Sequence, residues 1–233
     1  MNYNKLEVIS ILTNLSYKTT SILHFPSTFQ YFNNLKNLKV DASNSIVNKI
    51  FKGLTFSDEE VLIIDSLFHK EVYKKGYILL KAGDIVNAQY YIQYGCLRSF
   101  HLDSQGKEYT VQFGFNDWWI SDFTAFFSKS KAVLTIEVLQ DATLYKISKE
   151  DKDFLLTKIP KVETFFRIKL ERAFAAFQKR ILANLSQPAT ERYINFIKTF
   201  NDIEPNLKNY HIASYLGITT QSLSRIRKEL SNN

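Results

Sequence analysis

Between Glu71 and Ile147 apolar residues alternate with polar ones and glycine interrupts the pattern at intervals, which limits the fold of this 233-residue chain more than any other feature. Period-two alternation belongs to strands with unlike faces, and short strands separated by glycine turns assemble into antiparallel sandwiches or barrels. The stretch Val72 to Asp84 predicts two short strands with turns at Gly76 and Gly83. Gln89 to Gly95 and Cys96 to Leu102 predict two more. Asp103-Ser104-Gln105-Gly106 is a tight hairpin connection, and Lys107 to Phe113 is the returning strand. Ala132 to Glu137 and Ala142 to Ile147 add two strands that close the structure.

On either side the periodicity is helical. Ile46, Val47, Ile50, Phe51 and Leu54 share one helical face. Ser57-Asp58-Glu59-Glu60 has the form of a capping box, with Ser57 as N-cap and Glu60 reaching back, and opens a helix through about Phe68. From Ser148 onward everything predicts helix: a short one opened by Ser148-Lys149-Glu150-Asp151, then a long one from Pro160 to about Ser186. Leu170, Phe174, Phe177, Ile181 and Asn184 are spaced 4, 3, 4 and 3 along it, a coiled-coil-like seam. Such a ridge either packs on its own domain or pairs with a second copy of the chain. Pro188 marks a break, and Thr190 to Phe200 form another amphipathic helix. Residues 1–44, rich in Asn, Ser, Thr and Tyr, show only weak helical patches and carry no assigned function.

The segment Asn209 to Leu230 matches a helix-turn-helix wherever that geometry constrains the side chain. Ala213 is small where the two helices approach most closely, and Gly217 sits at the turn, where a left-handed backbone is wanted. Ile212, Leu216, Ile218, Leu223 and Ile226 are the apolar positions that lock the helices at a steep crossing. Thr219 is the N-cap of the second helix, whose outward face carries Thr220, Gln221, Ser224, Arg225 and Lys228. Glutamine pairs bidentately with adenine and arginine with guanine, while Thr and Ser reach phosphates or thymine methyls. Gln221 and Arg225 share a face at i and i+4 in the N-terminal half, where recognition helices present base-reading residues. The competing reading is a generic surface helix hairpin.

Charge points to the same end of the chain. Of a formal net charge of +7, residues 1–50 carry +3, residues 51–160 carry −2 and residues 161–233 carry +6. The cationic third either attracts a polyanion or is a solvated helix surface. One cysteine, Cys96, excludes an intramolecular disulfide and a Cys-rich zinc or iron–sulfur site, and a reducing compartment follows. The apolar stretches are too short to span a bilayer, so a cytoplasmic protein without a membrane partner is expected. No G-x-S-x-G, H-E-x-x-H or Walker A run is present, the four histidines are scattered, and an enzyme is not expected.

A glycine-punctuated roll, a long helix and a C-terminal helix-turn-helix together resemble the Crp–Fnr family of bacterial transcription regulators. The resemblance covers about residues 45–230. Its clearest pieces are Lys75-Gly76, Lys81-Ala82-Gly83-Asp84, Tyr91-Ile92-Gln93-Tyr94-Gly95, Ile212 to Ile218 and Leu223-Ser224-Arg225-Ile226. It implies an α+β protein: an antiparallel jelly-roll sensor domain related to cyclic-nucleotide-binding domains over 45–159, a dimerisation helix over 160–186 and a winged helix-turn-helix domain over 187–233. It further implies a homodimer, paired through Leu170, Phe174, Phe177 and Ile181, on a two-fold symmetric operator in double-stranded DNA. The residues matching Thr220, Gln221 and Arg225 make base and phosphate contacts in this family. RNA polymerase is a further partner expected of such a regulator. Only Ser231-Asn232-Asn233 follow Leu230, so the wing is hard to place.

The sensor pocket departs from the family pattern. Members that bind cyclic nucleotides carry a Phe-Gly-Glu run and, downstream, an arginine that neutralises the cyclic phosphate. Here the first aligns with Trp119-Ile120-Ser121-Asp122-Phe123, and the arginine position falls on Ala132. Trp119, Asp122, Phe123 and Lys131 are the candidate pocket residues, but a lysine lacks the planar fork of an arginine. A buried cyclic phosphate without a matched cation is costly, so cAMP is not expected as a cofactor and another small effector stays open. His69, His101 and Cys96 form no recognisable haem-ligand arrangement. The aromatic cluster of Trp118, Trp119, Phe113, Phe115, Phe123, Phe126 and Phe127 is either core or a stacking platform. The alternative function is a small-molecule sensor acting through protein contacts rather than DNA.

Overall fold

The computed structural model describes residues 45–232, so the extension expected over 1–44 lies outside the described residues, as does Asn233. Ser45 caps α1 (Ile46–Ile50), its hydroxyl accepting from the Val47 N–H. The capping box forms as its sequence requires: Glu60 Oε2 accepts from the Ser57 N–H at 2.7 Å while Ser57 Oγ accepts from the Glu60 N–H at 3.3 Å, opening α2 (Asp58–Leu67). Six strands follow: β1 (His69–Tyr73), β2 (Ile78–Leu80), β3 (Ala88–Leu102), β4 (Glu108–Gly114), β5 (Trp119–Ile120) and β6 (Thr135–Ser148), with α3 (Phe123–Ser128) between the last two. The chain then turns helical, through α4 (Lys149–Lys158), α5 (Pro160–Ser186), α6 (Ala189–Phe200), a 3-10 turn (Glu204–Asn206), α7 (Asn209–Leu216) and α8 (Thr220–Ser231). No strand follows β6 among the described residues, so the hairpin of the expected wing is not among them.

Strand pairing is antiparallel throughout, in the order β1-β6-β3-β4, with β2 added on β6 and β5 on β3. The two long strands correct the sequence reading. Gln89–Gly95 and Cys96–Leu102 were expected as separate strands, and so were 132–137 and 142–147, yet β3 and β6 each run without a break for 15 and 14 residues. Gly95 explains the continuity. Its φ is +108°, and a Cβ there would lie 2.7 Å from the Ala142 Cα and the Asp141 carbonyl oxygen. Only glycine permits that approach, and the β3–β6 register shifts between Ile92 and Leu97. The strands bend there and keep pairing. The segment between Phe115 and Lys131, which has no clear period, supplies β5 and α3.

Four apolar clusters follow from this arrangement, the smallest packing Ala125 and Phe126 of α3 on Val86 and Ala132. Ile92, Leu97, Ile120, Ile136, Val138 and Leu144 fill the inside of the roll. A second cluster packs α1, α2, α4 and the start of α5 on Tyr91, Tyr145 and Ile147. The third joins Cys96 and Phe113 of the roll to Phe196, Phe200, Ile212, Leu216, Leu223 and Ile226. That third cluster positions the two C-terminal helices.

Candidate nucleic-acid interface

The turn between α7 and α8 is made by Gly217 at φ +67°, the left-handed value its sequence position demands. The Ile218 N–H returns to the Ala213 carbonyl at 3.0 Å, so the end of α7 is satisfied within a tight corner. Thr219 then caps α8, its hydroxyl oxygen accepting from the Ser222 N–H at 3.1 Å. Ala213, Ile212, Leu216, Leu223 and Ile226 are all buried, which fixes the crossing of the helices.

On the other side of α8, Gln221, Ser224, Arg225 and Lys228 are exposed, as is Thr219, while Thr220 is half-buried. Arg225 has a side chain 74% exposed and its Nε lies 3.9 Å from Glu229, a contact loose enough to exchange for a base or a phosphate. The Ser224 hydroxyl donates to the Thr220 carbonyl at 3.0 Å, and the Thr220 hydroxyl to Gln221 Oε1 at 3.2 Å. The first-turn N–H groups other than that of Ser222, together with the positive end of the helix dipole, lie at this same end of α8. The structure thus brings the six expected side chains to the start and outer face of one helix.

Beneath α8 lies a polar tie absent from the sequence reading. Arg227 donates from Nε to the Tyr193 hydroxyl at 2.7 Å and also binds Glu204 and Asn209, linking α8 to α6, the 3-10 turn and α7. Tyr193 in turn donates to Glu204 at 3.0 Å. An arginine two residues from Arg225, at the edge of the buried face, was the available signal, since a cation there needs a carboxylate partner.

The helix pair is also clipped to the roll. Ser214 of α7 donates from its hydroxyl to the Glu108 carbonyl at 2.7 Å and accepts from the Thr110 N–H at 2.8 Å, occupying the edge of β4. Arg180 of α5 binds the Val111 carbonyl on the same strand. Glu108 continues the chain through its carboxylate to the buried Arg98, 2.7 Å away, which also pairs with Glu137 at 2.8 Å. His211, next to this clip and 2% exposed, has neither ring nitrogen hydrogen-bonded. Burial, together with the charges of Arg98 and Lys208, pushes its pKa down to about 4.

Residues 70–158 match the cyclic nucleotide-binding domain family. Over 194 residues the chain is 23% identical to an anaerobic regulatory protein of Haemophilus influenzae, covering 77% of this chain and 74% of that protein. The structure of FixK2 from Bradyrhizobium japonicum superposes with a TM-score of 0.63 at 16% identity, covering 71% of this chain and 85% of that one. A structure described as a transcriptional regulator of the Crp/Fnr family from Eubacterium rectale gives 0.60 at 18% identity, covering 76% and 84%. Residues 70–158 carry the cyclic nucleotide-binding domain, and over about three quarters of its length the chain is similar to Crp–Fnr regulators.

The four residues expected at an effector pocket are engaged separately. Asp122 is fully buried and caps α3, Oδ1 accepting from the Ala125 N–H at 3.1 Å. Its Oδ2 accepts from the Val133 and Leu134 N–H groups at 2.8 and 3.0 Å. Three backbone donors thus use the Asp122 carboxylate to pin a loop. Trp119 packs on Phe68, Tyr91 and Phe166, Phe123 stacks on Phe127 at 6.0 Å, and Lys131 is exposed with its backbone bridged to Ile85. Ala132, at the place of the family's arginine, is buried.

The long helix α5 carries its apolar ridge half-exposed. Leu170, Phe174, Phe177 and Ile181 are 56, 61, 47 and 44% exposed, so about half of each side chain is left uncovered by the described residues.

Proposed function

We propose that this regulator binds a two-fold symmetric DNA operator as a homodimer, paired along Leu170, Phe174, Phe177 and Ile181. A sensor domain over 45–159, a dimerisation helix over 160–186 and a DNA-binding domain over 187–233 divide the work. Thr219, Thr220 and Ser224 meet phosphates or thymine methyls, Gln221 and Arg225 read base edges in the major groove, and Lys228 adds a phosphate contact. The observation that carries this reading is the exposed Gln221–Arg225 edge on a helix whose opposite face is locked by Leu223 and Ile226. The regulator works in the cytoplasm, where its DNA lies, with RNA polymerase as the partner that gives binding its effect. It does so without a cyclic nucleotide held at Asp122, whose oxygens are already occupied.

Selection of bound sequences from a random DNA pool, followed by fluorescence anisotropy on the selected site, tests the reading. We expect a two-fold symmetric motif. Arg225→Ala should weaken the specific complex by about 1–3 kcal/mol and flatten the preference at one base position. Lys228→Ala should weaken specific and random DNA alike and lower the salt slope by about 1. Absence of any salt-dependent DNA binding by the wild type refutes the assignment and favours a sensor acting through protein contacts.

A further inference from the structure

A cleft of about 410 Å³ opens between α1, the β3–β5 pair and the first half of α5, edged by the rings of Tyr91, Trp119 and Phe165. Five cations line it against one carboxylate, Asp117. Lys52 pairs with Asp117 at 2.7 Å, and Lys161 with Glu60 at 2.7 Å. The other three make no contact ion pair, although the Lys169 charge acts on Asp117 from a distance. Lys49 donates to the Tyr145 hydroxyl at 3.0 Å, and the Lys169 ammonium sits 5.4 Å from the Phe165 ring. Arg172 is exposed and has no partner among the described residues. Like charges gathered in a concave site between apolar walls focus the field on whatever enters it. The rings offer flat apolar surface beside that charge, and an arginine can take a carboxylate or phosphate with its planar fork.

We propose that this cleft binds a small organic anion carrying a flat ring, its anionic head held by Lys169 and Arg172 and its ring lying among Tyr91, Trp119 and Phe165. Asp117 stays outside the contact, because Lys52 and the Tyr91 hydroxyl already hold its oxygens. A second copy seated on the long helix leaves the mouth clear. At about 100° per residue, Phe165, Ile168, Lys169 and Arg172 lie about 100–160° round α5 from the Leu170–Ile181 ridge. A bound anion touches the roll and α5 at once, so its occupancy bears on the element that carries the dimer ridge. This site is separate from Asp122 and Lys131.

Tryptophan fluorescence of the full chain tests the site without DNA, so the outcome is independent of the DNA-binding reading. The chain has two tryptophans, and Trp118→Phe leaves Trp119 as the only reporter. The probes are AMP and benzoate, which share a ring and an anionic head but present phosphate and carboxylate respectively. Inorganic phosphate and adenosine each supply one half. We expect saturable quenching by AMP or benzoate, the tighter of the two identifying the head group, with either half alone at least about tenfold weaker. Lys169→Ala combined with Arg172→Ala should weaken binding at least about tenfold with an unchanged melting temperature, since both side chains are exposed. Lys131→Ala should change nothing. The proposal is overturned if neither ring-bearing anion saturates, if the double variant binds as tightly as its parent, or if binding is lost with Lys131 instead.

Discussion

Truncating Phe174 to alanine separates a dimer ridge from a merely exposed one. Phe174 is 61% exposed in the single chain. An aromatic side chain buries about 200 Å², so about 120 Å² is available to a partner, worth about 3 kcal/mol per protomer at about 25 cal/mol per Å². The phenyl ring holds most of that area, so truncation removes about 2 kcal/mol from each chain and about 4 kcal/mol from a symmetric pair. Association realises only part of such a figure, because ordering the interface opposes it. A dissociation constant raised at least about thirtyfold is the expectation. Sedimentation equilibrium over a concentration series measures it. The thermal melt of the monomer should move little, since most of the Phe174 surface lies outside the packing of its own chain. Leu182 is the control, because at 64% exposure it is as apolar and open but lies about 120° round α5 from the ridge. Leu182→Ala should leave the dissociation constant within about twofold. Equal effects at both positions, or a wild type that stays monomeric, refute the pairing.

Other outcomes follow from the polar contacts behind the reading helix. Arg227→Ala leaves Glu204 and the Tyr193 hydroxyl without their cation and should lower the stability of the C-terminal helices by about 2 kcal/mol in a urea melt. It should reduce specific over random DNA binding while the salt slope stays fixed, because Glu204 already neutralises Arg227. His211 has a folded pKa of about 4 against 6.5 in the unfolded chain, so its neutral form is favoured by folding. The stability is present above about pH 6.5 and falls as pH drops from there toward 4, by about 3 kcal/mol over the window. His211→Gln should flatten that part of a plot of unfolding free energy against pH, and an unchanged slope would show that His211 is not the group responsible.

Local chemistry decided much of this protein in advance. The Ser57–Glu60 box, the Thr219 cap and the left-handed Gly217 each depend on side chains within a few residues, so the sequence contains both partners of every interaction. The outer face of α8 was legible for the same reason, since Leu223 and Ile226 can be buried only if Gln221 and Arg225 point outward. The continuity of β3 and β6 was not legible. It rests on Gly95 meeting Ala142, a pair distant in the chain, and periodicity is blind to which backbone arrives opposite a glycine. Nor could sequence assign Asp122, because three N–H groups claim its carboxylate only once residues 125, 133 and 134 have converged on it. The Arg227 tie, the Ser214 clip and the cations around Trp119 are likewise meetings between distant segments. Sequence alone set the helix ends, the strand alternation and the charge of the last third, because each is a matter of near neighbours or of counting. Tertiary structure alone decided which polar groups were already satisfied and which were left facing outward, because hydrogen-bond saturation depends on who stands across the gap.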